Sequence, residues 1–144
     1  MMHLAIAQAR LGENAGEVPI GALLIDASGT VIAEGFNQPI SSNDPTGHAE
    51  MVVLRAAARK LANYRLPGTT MVVTVEPCLM CAGALINARV ARLVFGAHEP
   101  KWGAIESLMR VESLALNHKM EIISGIRAEE CGRLMRDFFL NRRA

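Results

Sequence analysis

The sequence predicts an α/β domain in which helices cover both faces of a mixed five-stranded sheet, giving three layers, α/β/α. Two observations support this class: a hairpin pattern near the N-terminus, formed by two apolar runs around a Ser-Gly turn, and two strand–helix crossovers later in the chain. The hairpin and the crossovers together make the sheet mixed. The 144 residues suffice for one core and contain no linker, repeat or low-complexity segment, so we expect a single domain over residues 1–144.

The elements of the N-terminal third are marked by periodicity and turn residues. Leu4, Ala7 and Leu11 recur at helical spacing and predict a first helix, which the glycines after it end. Two short apolar runs then flank an Ala-Ser-Gly turn, the pattern of a β-hairpin, and the segment after them has the composition of a loop. The predicted elements are a helix ended by residues 12–16, strands at 18–26 and 30–37 around a turn at 27–29, and a loop at 38–47.

The rest of the chain alternates helices and strands. Consecutive alanines favour a helix after His48, and Pro67 with Gly68 interrupts the chain before a β-branched run that is typical of a buried strand. Pro77 suits the first turn of the next helix. The last helix is predicted from an apolar stripe that comprises Cys131, Leu134, Met135, Phe138 and Phe139. The predicted elements are helices at 48–63 and 78–89, strands at 70–75, 92–97 and 120–124, and this C-terminal helix.

Charge and hydropathy exclude several classes of protein. The formal net charge is +1, so a nucleic-acid or membrane partner would have to bind through a local patch. No apolar run approaches the ~20 residues of a membrane span, and the N-terminus lacks the basic and apolar segments of a signal peptide. The three cysteines are an odd number without a secretion signal, which indicates a cytoplasmic protein without a structural disulfide.

Two short segments at predicted helix starts contain the residues best suited to chemistry. "GHAE" at 47–50 opens the helix after the loop, and "PCLMC" at 77–81 opens the helix after the buried strand. Cys78 and Cys81 are three residues apart, so they share a helix face and can bind one ion. With His48 they make a three-ligand zinc set, which leaves a fourth position for water, as catalytic zinc sites do.

The spacing of His48 and Glu50 sets a structural condition on this site. Two residues apart on a regular helix, they would point to roughly opposite faces, so both reach one site only if His48 lies in an irregular first turn. Thr46 is the candidate cap of that turn. Because two thiolates cancel the charge of zinc, its water should be less acidic than in an all-histidine site, and Glu50 is the nearby base that can collect the proton.

Each motif alone is a weak signal. A C-x-x-C pair is also typical of buried core residues or of a redox motif, and a histidine followed by a glutamate is usually polar surface. Jointly, H-x-E and P-C-x-x-C at two helix starts of one short α/β chain form the signature of zinc-dependent nucleobase deaminases. Cys131 belongs to the apolar stripe of the last helix and is interpreted as a core residue.

From about residue 4 to 143 the chain resembles the bacterial TadA-type tRNA-specific adenosine deaminases of the cytidine deaminase-like superfamily. The resemblance is found in "GEVPIGALLI", "GFNQPISSNDPTGHAE", "NYRLPGTTMVVTVEPCLMCAGALI" and "RLVFGAHEPK". The catalytic motifs are shared with small guanine and cytosine deaminases. The back half, with "NHKMEIISGI" and the later "FF" and "RR", resembles the tRNA enzymes and not those acting on free bases.

The resemblance implies a cytidine deaminase-like fold and a homodimer with one Zn²⁺ per subunit. It implies that the wobble adenosine in the anticodon stem-loop of arginine tRNA is hydrolysed to inosine by a zinc-bound hydroxide, with a glutamate proton shuttle and release of ammonia. The alternatives are a deaminase of a free nucleobase or nucleoside, such as guanine or cytosine, and a zinc-containing RNA-binding subunit without activity. The candidate site residues are the zinc ligands His48, Cys78 and Cys81, the catalytic Glu50, and the substrate-binding Asn37, Ala49, Glu99, Lys101, Trp102, Arg142 and Arg143.

The loop after the fourth predicted strand departs from the family. Where the family has roughly Asp-x-Lys-Thr-Gly, this chain has "EPKWG" at 99–103. Glu99 keeps the carboxylate, and Lys101 is retained and can meet a phosphate. Trp102 replaces a small polar residue; we favour a buried or partly buried packing aromatic, and the alternative is a platform on which an RNA base stacks.

Overall fold

The computed structural model describes residues 1–143, with side chains through residue 142, and it confirms the predicted three-layer α/β/α fold with a mixed five-stranded sheet. Every predicted strand and helix is present, and the ends of some differ from the prediction by a few residues. No helix within the described residues combines the length and the apolar character that a bilayer span requires. The elements are α1 (Met2–Asn14), β1 (Gly21–Ile25), β2 (Val31–Phe36), α2 (Ala49–Leu61), β3 (Thr70–Val75), α3 (Leu79–Asn87), β4 (Arg92–Ala97), a 3₁₀ turn (Val111–Ser113), β5 (Glu121–Ile123) and α4 (Ala128–Arg143).

The sheet has the strand order β2-β1-β3-β4-β5. Strand β1 is antiparallel to both β2 and β3, whereas β3, β4 and β5 are parallel to one another. The carboxyl ends of β3 and β4 therefore lie at the same end of the sheet as the start of β1 and the end of β2. In open α/β folds ligands usually bind at the carboxyl ends of the parallel strands, and the segments after β3 and β4 both begin there.

The two faces of the sheet are covered by different pairs of helices. Helices α2 and α3 pack on one face around a core that includes Leu85 and Phe95, and both of these side chains are fully buried. Helices α1 and α4 pack on the other face, where Leu23 is fully buried and Cys131 lies in the core as predicted. The start of α2 and the start of α3 are thereby held on the same side of the sheet.

Two of the three residues whose spacing predicts α1 lie outside its buried face. Leu11 is 52% exposed and Ala7 also faces solvent, whereas Ala5 and Ala9 are fully buried. The reason is a close approach of two backbones, since a Cβ at Gly21 would overlap the carbonyl oxygen of Ala5 and the amide nitrogen of Ala9. Small residues allow the helix backbone to lie directly on β1, and this contact outweighs the burial of Leu11.

Helix α2 ends at a residue with an unfavourable backbone conformation. Ala62 has φ 51° and ψ 41°, the left-handed region, in which an L side chain costs about 1–2 kcal/mol. Because glycine adopts this conformation freely, we expect Ala62→Gly to raise the free energy of unfolding by about 0.5–1 kcal/mol, after its larger chain entropy is offset. Thermal unfolding should show a rise of roughly 2–4 °C. Ala7→Gly, at an exposed site inside α1, is the matched control and should lower stability instead.

Candidate active site

The turn between β3 and α3 positions the two cysteines of the P-C-x-x-C motif. Strand β3 ends at Val75, and α3 begins at Leu79 with Cys78 as its extended N-cap residue, φ −77° and ψ 176°. Cys81 lies one turn later and is fully buried. Because positions three apart lie on one side of a helix turn, both sulfurs are directed to the same place.

His48 meets the condition that its spacing from Glu50 imposes. It is the N-cap residue of α2 and has an extended backbone, φ −68° and ψ 153°, so the prediction of an irregular start is confirmed. The suggestion that Thr46 caps the helix is wrong, since its hydroxyl donates to Asp44 at 2.7 Å. Glu50 follows in the first turn, where it is only 4% exposed.

The three proposed ligand atoms converge on one point. The Nδ1 atom of His48 lies 3.5 Å from the sulfur of Cys78 and 3.5 Å from that of Cys81, and all three atoms are within 4.8 Å of one another. A tetrahedral zinc ion, with bonds of about 2.0 Å to nitrogen and about 2.3 Å to sulfur, separates these atoms by about 3.5 Å. Among the described side chains, the group comprises these three alone, so it fits zinc with an open fourth position.

The electrostatics of the cluster favour a bound cation. The hydrogen bond with Cys81 and the one with His48 lower the pKa of the Cys78 thiol to about 4, although burial opposes the shift. The same hydrogen bond and burial raise the pKa of Cys81. Cys78 is thus the more readily ionised of the two sulfurs, and a metal ion has to displace the protons that the cluster still carries. Burial also raises the pKa of the Glu50 carboxyl above its usual range.

A cleft of about 910 Å³ opens beside this cluster, at the carboxyl ends of β3 and β4. Among the predicted site residues, it brings together Asn37, His48, Glu50, Cys78, Glu99, Lys101 and Trp102. The cleft is also lined by residues outside the predicted site set, which are Val18, Ile20, Val75, Glu76, Met135, Arg136, Phe139 and Leu140. Four of these come from α4, which therefore forms part of the cleft wall.

The other predicted substrate residues have different surroundings. Ala49 is fully buried in the first turn of α2, so only its backbone can contribute to the site. The guanidinium of Arg142 donates to the carbonyl oxygen of Gly16 at 2.9 Å and lies 4.7 Å from the ring centre of Phe138, so it is docked on its own chain. The side chain of Arg143 lies outside the described residues.

The exposure of Trp102 overturns the role that was favoured for it. Its side chain is 70% exposed, so it is not a packing aromatic. The indole projects at the rim of the cleft instead.

Glu76 is a buried residue that was not among the predicted site residues. Its carboxylate accepts hydrogen bonds from the backbone N–H groups of Glu99 and Ile105, each at 3.0 Å, and of Glu106 at 2.7 Å. Ser107 donates to it through both its N–H, at 3.0 Å, and its hydroxyl. Glu76 therefore holds the loop that follows β4 against the start of α3. The sequence contains one signal for this role, a glutamate directly after a buried strand. A carboxylate buried there must be paired or hydrogen-bonded, because an isolated buried charge is costly.

Comparisons with known proteins agree with this site. The cytidine and deoxycytidylate deaminase zinc-binding region matches residues 1–97. The tRNA-specific adenosine deaminase of Haemophilus influenzae is 46% identical over 144 residues, covering 99% of this chain and 83% of the relative. A solved structure from work on A-to-I editing by tRNA A34 deaminases is 43% identical, with a TM-score of 0.89 over 92% of this chain and 96% of that one.

A guanine deaminase from Bacillus subtilis is less similar. Its structure is 32% identical, with a TM-score of 0.65 over 81% of this chain and 84% of that one. This chain is thus more similar to the tRNA enzymes than to the guanine deaminase in sequence identity, in coverage and in TM-score. This chain belongs to the cytidine and deoxycytidylate deaminase family and, within it, to the tRNA-specific adenosine deaminases.

Proposed function

We propose that this protein hydrolyses the wobble adenosine in the anticodon of an arginine tRNA to inosine and releases ammonia in the cytoplasm. One observation carries the proposal: a His-Cys-Cys cluster with the spacing of a zinc site shares an open cleft with the buried carboxyl of Glu50. The nearly full-length likeness to enzymes named for tRNA supports the choice of substrate. The arginine tRNA follows from the family resemblance.

His48, Cys78 and Cys81 would hold one zinc ion in each chain. When bound, zinc supplies a Lewis acid that lowers the pKa of a water molecule. Cys78 and Cys81 would hold it from the start of α3, where the partial positive charge of the N–H groups moderates the negative charge of the two sulfurs. Metal analysis of the purified protein should find about one zinc per chain.

Glu50 is the proposed proton carrier. It takes a proton from the attacking water and gives it to the ring nitrogen next to the amine-bearing carbon; it then assists the departure of ammonia. A carbon–oxygen bond forms and a carbon–nitrogen bond breaks, so adenosine and water become inosine and ammonia. Burial helps because it raises the pKa of Glu50, which can therefore hold the proton between the two transfers.

Two further residues are proposed to orient the base. Asn37 lies at the end of β2, where its side chain is 6% exposed and lines the cleft, so its amide can hydrogen-bond a flipped base. Ala49 contributes its backbone N–H from the first turn of α2, where such groups lack partners within the helix.

The second candidate is deamination of a free base such as guanine, which the likeness to the Bacillus subtilis enzyme favours. The nearly full-length likeness to enzymes named for tRNA argues for the larger substrate.

The test offers both kinds of substrate to the zinc-loaded protein and measures ammonia. We expect turnover of an arginine-tRNA anticodon stem-loop with adenosine at the wobble position, and none when guanosine replaces that adenosine. Faster turnover of free guanine or cytosine would reverse the proposal. In cells, sequencing of arginine tRNA after depletion of the protein should show unconverted adenosine at the wobble position.

We also propose a homodimer, because one face of α3 is apolar and uncovered. The helix sequence LMCAGALIN contains no charged residue, yet Leu79 is 63% exposed and Gly83 faces open space. Gly83→Arg introduces a charge and a long side chain without a clash inside the chain, so it should convert the dimer to a folded monomer. Sedimentation velocity measures the change. Ala7→Arg on the exposed side of α1 is the control, and an unchanged dimer in Gly83→Arg would place the interface elsewhere.

A further inference from the structure

The indole of Trp102 is a large apolar group that the fold leaves in water. It is the only tryptophan of the chain and is 70% exposed at the tip of the loop after β4. Tryptophan buries more area than most residues when it packs, and it is enriched where a partner completes the burial. Here the fold directs it to the rim of the cleft that also contains Glu50.

The backbone under Trp102 is firmly held although its side chain is free. The N–H of Gly103 donates to the carbonyl oxygen of Glu99 at 2.8 Å, and that of Ala104 donates to Pro77 at 2.9 Å. Gly103 is buried, and a Cβ there would overlap the Glu76 carboxyl. The indole is therefore presented from a rigid support and loses little backbone freedom when a ligand covers it.

The surroundings of Trp102 favour a nucleotide as the covering group. Lys101 is exposed beside Trp102, and its side chain offers a positive charge to a phosphate. The backbone N–H of Lys101 donates to the Glu99 carboxylate at 3.0 Å. Phe139 and Leu140 of α4 are exposed and line the same cleft. An aromatic face with a neighbouring cation is the combination by which proteins bind unpaired bases in single-stranded RNA.

We propose that Trp102 stacks on the unpaired nucleobase adjacent to the target adenosine in the anticodon loop. This subsite rests on the proposed function, because it lies in the same cleft as the reacting base. It takes any base, since every base has an aromatic face, and it adds affinity without taking part in the chemistry. Trp102 is thus a positioning residue.

The first test uses fluorescence, because Trp102 is the sole tryptophan. In a Glu50→Gln background, which prevents turnover, we expect the anticodon stem-loop to quench tryptophan emission on binding. A stem-loop that is abasic at the position next to the wobble adenosine should bind more weakly and quench little. Two abasic stem-loops are compared with the intact one, each lacking the base on one side of the wobble adenosine. If both quench the tryptophan emission as strongly as the intact stem-loop, the stacking contact is ruled out.

The second test separates binding from chemistry. Trp102→Ala should raise KM for the stem-loop about tenfold with kcat nearly unchanged, and Trp102→Phe should restore most of the affinity. For the abasic stem-loop, the wild-type protein and Trp102→Ala should have the same KM. Tyr64→Ala is the control, because Tyr64 is 74% exposed in the segment after α2, beyond the helix end distant from His48.

The two proposals fail in different ways. If the wild-type protein deaminates the stem-loop and Trp102→Ala has the same KM, the stacking subsite is wrong and the proposed function stands. If the wild-type protein turns over free guanine and leaves the stem-loop unchanged, the proposed function is wrong, and the subsite falls with it.

Discussion

Glu50→Gln is expected to lower kcat for the anticodon stem-loop by at least 10²–10⁴-fold, the range that a positioned acid–base group contributes. Glutamine has nearly the same shape as glutamate but cannot accept and release a proton at neutral pH. The carboxyl is 4% exposed and lines the cleft beside the His-Cys-Cys cluster, so bulk water offers no substitute base at that point. Single-turnover kinetics on the stem-loop would measure the loss.

Two controls separate chemistry from damage to the site in the Glu50→Gln variant. Zinc content should stay at the wild-type level, because Glu50 is outside the group of three ligand atoms. Thermal stability should not fall, because burial penalises the charged carboxylate and the amide carries no charge. Glu34→Gln, at an exposed position of β2, should leave turnover unchanged. Normal deamination by Glu50→Gln would refute the proposed proton transfer.

The sequence predicts those features of the fold that depend on local spacing. Helices and strands follow from periods of 3.6 and 2 residues, and each is present in the structure. The irregular start of α2 could also be predicted, because His48 and Glu50 can share one site in no other way. The positions of the zinc ligands at two helix starts follow from the same local patterns.

The features that the sequence does not predict depend on contacts between distant segments. The buried side of α1 is decided by the backbone of Gly21, which no helical period can reveal. Trp102 was expected to pack because tryptophan usually does, but the loop after β4 holds it at the rim of the cleft and leaves it 70% exposed. Glu76 is explained only by donors more than twenty residues further along the chain.

Glu76→Gln is expected to destabilise the protein by about 2–3 kcal/mol, because hydrogen bonds to a buried charged group are the strong ones and their loss leaves a donor unsatisfied. The carboxylate is 4% exposed and accepts backbone N–H groups through both oxygens. An amide can offer one oxygen only, so its NH₂ group would face the N–H of Glu99. Thermal unfolding should occur roughly 5–10 °C lower.

The same substitution should weaken RNA binding. The segment that Glu76 holds includes Lys101 and Trp102, so a loosened loop costs ordering entropy when the stem-loop binds. We expect KM for the stem-loop to rise. Glu121→Gln is the matched control, because Glu121 forms an exposed ion pair with Arg92 and such pairs contribute about 0–1 kcal/mol.

The pH dependence of stability tests whether the charge of Glu76 is the cause of the lower stability of Glu76→Gln. Burial raises its pKa, but the hydrogen bonds from the backbone of Glu106 and from the Ser107 hydroxyl outweigh burial, so the pKa lies below its ordinary value. A lowered pKa means that the ionised group stabilises the fold above the ordinary glutamate value of about 4.3, and that this contribution is lost as the pH falls through the lowered pKa. The difference in unfolding free energy between wild type and Glu76→Gln should therefore be largest near neutral pH and shrink below about pH 4. A difference that stays constant across this range would mean that the shape of the side chain, and not its charge, holds the loop.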